Sequence, residues 1–150
     1  MVERPTLSEI SQEVIDLLNE EITTVVAATL NEDGSPHTAP FSFVVAKDKR
    51  TLRLAIGTRN MTIGNIRRDG RMAISVLDRG DIAVSVNGKA KIVKERLECY
   101  SGVALVEVDL TSIRNNSSRV GPVTSGVRYN LADRFKEQVK AVFRELKSTP

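Results

Sequence analysis

Hydrophobic and polar positions change rhythm several times along this chain, and each change marks a boundary between elements. Leu7, Ile10, Val14, Leu17 and Leu18 recur at the spacing of an amphipathic helix that ends near Asn19. Thr6 and Glu9 frame its start as a capping box, with Thr6 as N-cap. Residues 22–30 are β-branched and apolar, and Asn31-Glu32-Asp33-Gly34 supplies a turn. Further strands are predicted at 37–46, 51–57, 71–77, 82–93 and 103–113. Gly88 interrupts the long alternating fifth strand and predicts a bulge of the kind that lets a sheet curl. Residues 115–126, rich in Asn, Ser and Gly, read as an exposed loop. Asn130 then caps a last helix with Leu131, Phe135, Val139, Val142, Phe143 and Leu146 on one face.

Six strands joined mostly by hairpins, with helices at both ends and a short helix between strands three and four, predict a mainly β fold. The short connections and the bend at Gly88 favour a small antiparallel barrel over an open sheet. No repeat, linker or shift in composition divides the chain, so residues 1–150 read as one domain. A hydrophobic fraction of 41% and a charged fraction of 27% fit an ordinary globular core.

Composition narrows the chemistry. No apolar run approaches the ~20 residues of a membrane span. MVERPTLSEI reads as helical rather than as a signal peptide, so a cytoplasmic protein with no membrane partner is expected. A single cysteine, Cys99, leaves no intramolecular disulfide and no cysteine cluster for zinc, and His37 has no second histidine to share a metal. The net charge of +3 is mild, its cations are dispersed, and with no Trp there is little to stack on bases. No nucleic-acid partner is expected.

The informative stretch runs from Leu52 to Val76. A strand ends at Gly57, a polar turn follows as Thr58-Arg59-Asn60-Met61-Thr62, and a short helix leads to Gly70. Strand, polar turn and helix N-terminus together suit a phosphate, because unpaired N–H groups and the positive end of the helix dipole face the anion. The same residue types also cap helices and form turns with no ligand present, and spacing alone leaves both readings open. Gly64, inside the helix, either permits a close approach or marks irregular helix. His37 beside Pro36 reads as an exposed hairpin residue, and Cys99 as an inert thiol. No Ser–His–Asp set, carboxylate pair or metal cluster is visible.

The order Thr-Val-Val-Ala-Ala-Thr-Leu, Asp-Gly-Ser-Pro-His, Pro-Phe-Ser-Phe, then Thr58 and Asn65-Ile66-Arg67-Arg68-Asp69-Gly70-Arg71, resembles the pyridoxamine 5′-phosphate oxidase-like FMN-binding split barrels from about 22 to 113. The resemblance implies a six-stranded split barrel of Greek-key type, forming a homodimer with FMN in the cleft between subunits. It places the phosphate against the turn after the third strand, at Thr58, Asn60, Thr62 and Asn65, with Pro40, Phe41, Ser42 and Phe43 beside the ring, and Ile56, Gly57 and Arg71 completing the cofactor-binding set. Thr62 falls where many relatives carry a phosphate-binding Lys, so a neutral donor replaces a full charge. Arg53, Arg59, Arg67, Arg68 and Arg71 are the cations at hand to compensate. Arg128 and Tyr129 resemble a C-terminal segment that closes over the cleft in some members, or else they simply precede a helix. The implied function is FMN-dependent oxidoreduction of an unassigned small substrate. The alternative is a non-catalytic dimer that binds or senses flavin, haem or deazaflavin.

Overall fold

Leu7 does not enter a helix. In the computed structural model, which describes residues 5–20 and 22–150, it bridges Ile113 through two main-chain hydrogen bonds of 2.9 and 2.8 Å. The capping box expected at Thr6 therefore gives way to strand-like pairing. The first helix, α1 (Gln12–Glu20), starts at Ser11, whose Oγ accepts the Val14 N–H. Its Val14, Leu17 and Leu18 are buried as the spacing required.

Seven strands follow: β1 (Val25–Leu30), β2 (Pro36–Phe41), β3 (Val44–Asp48), β4 (Thr51–Gly57), β5 (Arg71–Asp78), β6 (Ile82–Lys94) and β7 (Val103–Asn115). They form one antiparallel sheet in the order β2-β1-β5-β6-β7-β4-β3. The single strand expected over 37–46 is in fact two. The chain leaves one sheet edge at Phe41, passes through Ser42 and Phe43, and joins the opposite edge at Val44. Pro36 and Pro40 explain why β2 stays at an edge, since a proline cannot donate to a further neighbour.

The sheet is not closed by hydrogen bonds, yet it curls. Phe41 of one edge strand and Val44 and Ala46 of the other feed the same core, together with Leu52, Leu54, Ile74 and Val106. That is the architecture of a split barrel. Gly88 sits at a register shift between β6 and β7, and a Cβ there would stand 2.5 Å from the Asp109 carbonyl oxygen. Glycine at this position is a packing requirement, and the curl depends on it.

A short helix, α2 (Met61–Arg68), connects β4 to β5, and α3 (Lys136–Ser148) closes the described chain. Asn130 does not cap α3; a short 3₁₀ turn at Asp133–Phe135 leads into it, with no side-chain cap. The outer face of the sheet is covered unevenly. Over β3, β4 and β7, Val142 and Leu146 of α3 pack on Val45, Ala55 and Leu105, and Phe43 meets Phe143 edge-on at 5.7 Å. Over β2, β1, β5 and β6 no described element covers the sheet, and Val26 is 45% and Leu77 52% exposed.

Candidate functional site

The turn after β4 is built from backbone outward. Thr58 N–H donates to the Gly102 carbonyl at 3.0 Å, which fixes the end of the strand against the start of β7. Asn60 is the N-cap of α2. Its side-chain oxygen accepts the Thr62 N–H at 2.9 Å, and its carbonyl accepts the Ile63 N–H at 3.0 Å. The capping role open to Asn60 on sequence grounds is thus realised.

Two expected phosphate contacts are turned inward. Thr62 is 0% exposed, and its Oγ1 is the one buried side-chain polar atom without a hydrogen-bond partner among the described residues. Asn65 is buried as well, donating to Thr29 Oγ1 at 3.0 Å and to Asn31 Oδ1 at 3.1 Å. It ties α2 to β1 and to the following turn. Ile56 is buried in the core, Ser42 Oγ lies 2.9 Å from Thr24 Oγ1, and Phe43 is engaged by α3. Gly57 and Thr58 stay half-exposed.

The cations sort clearly. Arg53 is 1% exposed and belongs to another cluster: it donates to Glu107 at 2.9 Å and to the main-chain oxygens of Leu146, Thr149 and Pro150 at the end of α3. Arg67 pairs with Glu95. Arg68 donates to the Leu30 carbonyl and to Asn65 Oδ1. Arg71 grips Asp69 through Nε and Nη2 at 2.7 and 2.8 Å, and this hydrogen bond holds the Asp69 carboxyl well below its usual range. Arg59, exposed in the turn itself, has no partner among the described residues.

An open groove of about 530 Å³ runs beside this helix, between Asn60, Met61, Gly64, Asn65 and Arg68 on one wall and Asn31, Glu32 and Asp33 on the other. Gly64 opens it, because a Cβ there would meet nothing. Thr58 and Ser42 do not line it. The turn at 31–35 was legible as a turn, but its place opposite α2 follows only from the pairing of β1 with β5. Asp33 is held low in pKa by its Ser35 contacts, so this wall carries negative charge. Arg59 does not line this groove either, so an anion within it faces the Asp33 carboxylate and, on the α2 wall, Arg68.

Arg128 does not stand alone before α3. It grips buried Asp78, at the end of β5, at 2.6 and 3.1 Å, and the Gly126 N–H joins at 3.2 Å. This clasp straps the 116–132 segment along the β5–β6 turn, where Val123 also exchanges two hydrogen bonds with Asp81. Tyr129 remains exposed. No group of three or more potential metal ligands occurs among the described residues.

The bare half of the outer face has its own composition. Its outward positions are Pro36, Thr38 and Pro40 on β2, Val26, Ala28 and Leu30 on β1, Ala73, Ser75 and Leu77 on β5, and Ser85 and Asn87 on β6. None of these is charged, and Arg71, Lys89 and Lys91 stand only toward one end. A solvated antiparallel face ordinarily alternates to polar and charged residues, and loss of charge marks a surface that meets another.

A family model described as pyridoxamine 5′-phosphate oxidase matches residues 10–120. Among solved structures, HupZ of Group A Streptococcus is similar at 23% identity, over 78% of this chain and 99% of its own, with a TM-score of 0.62. An FMN-binding protein from Syntrophomonas wolfei matches at 14% identity over 69% of this chain and 84% of its own, with a TM-score of 0.56. HutZ, the heme storage protein of Vibrio cholerae, matches at 11% identity over 69% and 93%, with a TM-score of 0.53. At these identities the likeness is one of fold. No curated relative matches in sequence.

Proposed function

The chain belongs to the pyridoxamine 5′-phosphate oxidase family, and on that premise we propose that it binds FMN as a homodimer and works as an oxidoreductase on a small substrate. The observation that carries the reading is the uncommitted Arg59, standing with the Thr58 hydroxyl at the N-terminus of α2. A dianionic phosphate there would meet one full positive charge, a neutral hydroxyl and the end of a helix dipole. Asn60 shapes the cradle by fixing the first turn of the helix. Thr62 and Asn65 support it from inside and do not touch the anion.

Bound flavin would supply the redox chemistry, and the chain's residues would bind and orient it. The uncharged patch around Val26 and Leu77 on β1, β2 and β5 supports a partner subunit, because two copies related by a two-fold axis can bury the same patch at once. A two-subunit cleft would also exclude water from the ring.

A second reading is favoured by Thr62. Where many relatives have a lysine, this chain has an interior threonine, and a phosphate held by one exposed arginine is held loosely. Binding without turnover fits that cradle, and the ligand would then be flavin, a deazaflavin or haem, the last in keeping with the fold shared with HutZ.

Adding FMN, haem or a deazaflavin to the purified protein, and following NAD(P)H consumption, separates the readings. Flavin binding with turnover supports oxidoreduction, and binding without turnover supports the second. No binding to any of the three removes both.

A further inference from the structure

Away from the α2 turn, we infer that the outward side of α3 is a docking groove for an acidic amphipathic helix of a partner protein. The groove, about 490 Å³, has an apolar floor that includes Ile22, Leu131 and Phe143. Its rim carries Lys136, Lys140, Arg144 and Lys147, and every charged residue lining it is a cation. These fall at i, i+4, i+8 and i+11, so they form one stripe about 16 Å long. An apolar floor beside a stripe of like charge fits a helix with leucine-type anchors on one face and carboxylates beside them. About three turns of such a helix match the stripe in length.

The cations are available for this task. Lys136 and Lys140 meet only exposed acids on their own segment, Asp133 at 2.7 Å and Glu137 at 3.3 Å, and exposed pairs of this kind are weak. Lys147 donates to the Asn19 carbonyl at 3.0 Å, and Arg144 donates to none of the described residues. The acid that α3 does bury, Glu145, points elsewhere, to Lys94 and the Glu98 and Cys99 amides. The opposite side of α3 is spent on the sheet through Val142 and Leu146. What remains outward is apolar and positive, and it lies apart from the α2 turn proposed to hold the phosphate, although Phe143 of its floor packs on Phe43.

The test uses the full chain and a fluorescent synthetic helix of about twelve residues, with leucine on one face and glutamate beside it. Saturable binding that weakens about tenfold or more in Lys140→Glu/Arg144→Glu, and weakens with added salt, is the expected result. Leu131→Gln, which leaves the charges in place, should weaken binding too. Thermal melts confirm that each variant is folded. No binding, or binding indifferent to the charge reversals, overturns the inference. Two further results overturn it as well: charge-dependent capture by anionic phosphatidylserine vesicles without peptide binding, or self-association of the chain that the same reversals abolish.

Discussion

The two halves of the sheet's outer face have met opposite fates. Over β3, β4 and β7, helix α3 covers the sheet, and the covered positions include charges: Arg53 and Glu107 lie buried side by side. Over β2, β1, β5 and β6 no described helix covers the sheet, and the outward positions are uncharged apart from Arg71, Lys89 and Lys91 toward one end. Burial usually removes charge and exposure keeps it; here the covered half keeps an ion pair, while the patch around Val26 and Leu77 is exposed without charge. The covered half tolerates its ion pair because the arginine is fully engaged by carbonyls at the end of α3, and Lys47 and Lys91 stand near Glu107. The bare half makes sense if a second copy covers it.

The largest effect should come from charging the bare half. Val26→Glu is expected to turn the proposed dimer into a monomer in light scattering, with flavin affinity lost alongside, while Val26→Ala leaves both in place. A Val26→Glu protein that still dimerises would move the interface elsewhere. On the covered half, Arg53→Ala should destabilise by ~3–5 kcal/mol, because Glu107 loses its buried partner and three carbonyls lose their donor. Denaturant titration measures it, and a loss under ~1 kcal/mol would show the cluster to be ornamental.

A smaller effect concerns acid. Burial pushes the Glu145 carboxyl up, but the Cys99 and Glu98 amides and Lys94 outweigh it and hold the group at about 2. A depressed carboxyl contributes stability above its ordinary 4.5, and that contribution is lost as pH falls toward about 2. Melting curves between these limits should show Glu145→Gln with a shallower pH slope than the parent, by an amount on the order of 2 kcal/mol across the window. Equal slopes would remove Glu145 from the account. The smallest effect is at Thr62. Its Oγ1 is buried and unpartnered, so Thr62→Val should leave stability unchanged or raise it by up to ~1 kcal/mol. FMN affinity should not change, and a fall would return Thr62 to the cradle.

The contrast between the halves also separates what the chain made legible from what it hid. Period and turn chemistry located the strands and the polar turn at Thr58–Asn60, and Gly88 marked its bulge correctly. The run over 37–46 hid its break, because Ser42 and Phe43 cross from one sheet edge to the other without a glycine or proline to announce it. The capping box at Thr6 lost to pairing between Leu7 and Ile113, a contact more than a hundred residues apart that local spacing cannot register. Arg53 resembled any other cation near the turn. Alternation along β4 puts it on the outer face, opposite Leu54, but only the position of α3 decides that this face is buried. Asn65 and Thr62 have residue types that suit either a ligand or an interior bond, and the packing of α2 on β1 turned both inward.

The central claim is that an anionic cofactor is held at the α2 turn by Arg59 in place of a lysine. The direct measurement is FMN fluorescence quenching on the parent and on Arg59→Ala, with melts to confirm folding. Saturable quenching at one FMN per protomer, weakened about tenfold in the variant, is the expected result. Equal FMN affinity in the two proteins would contradict it.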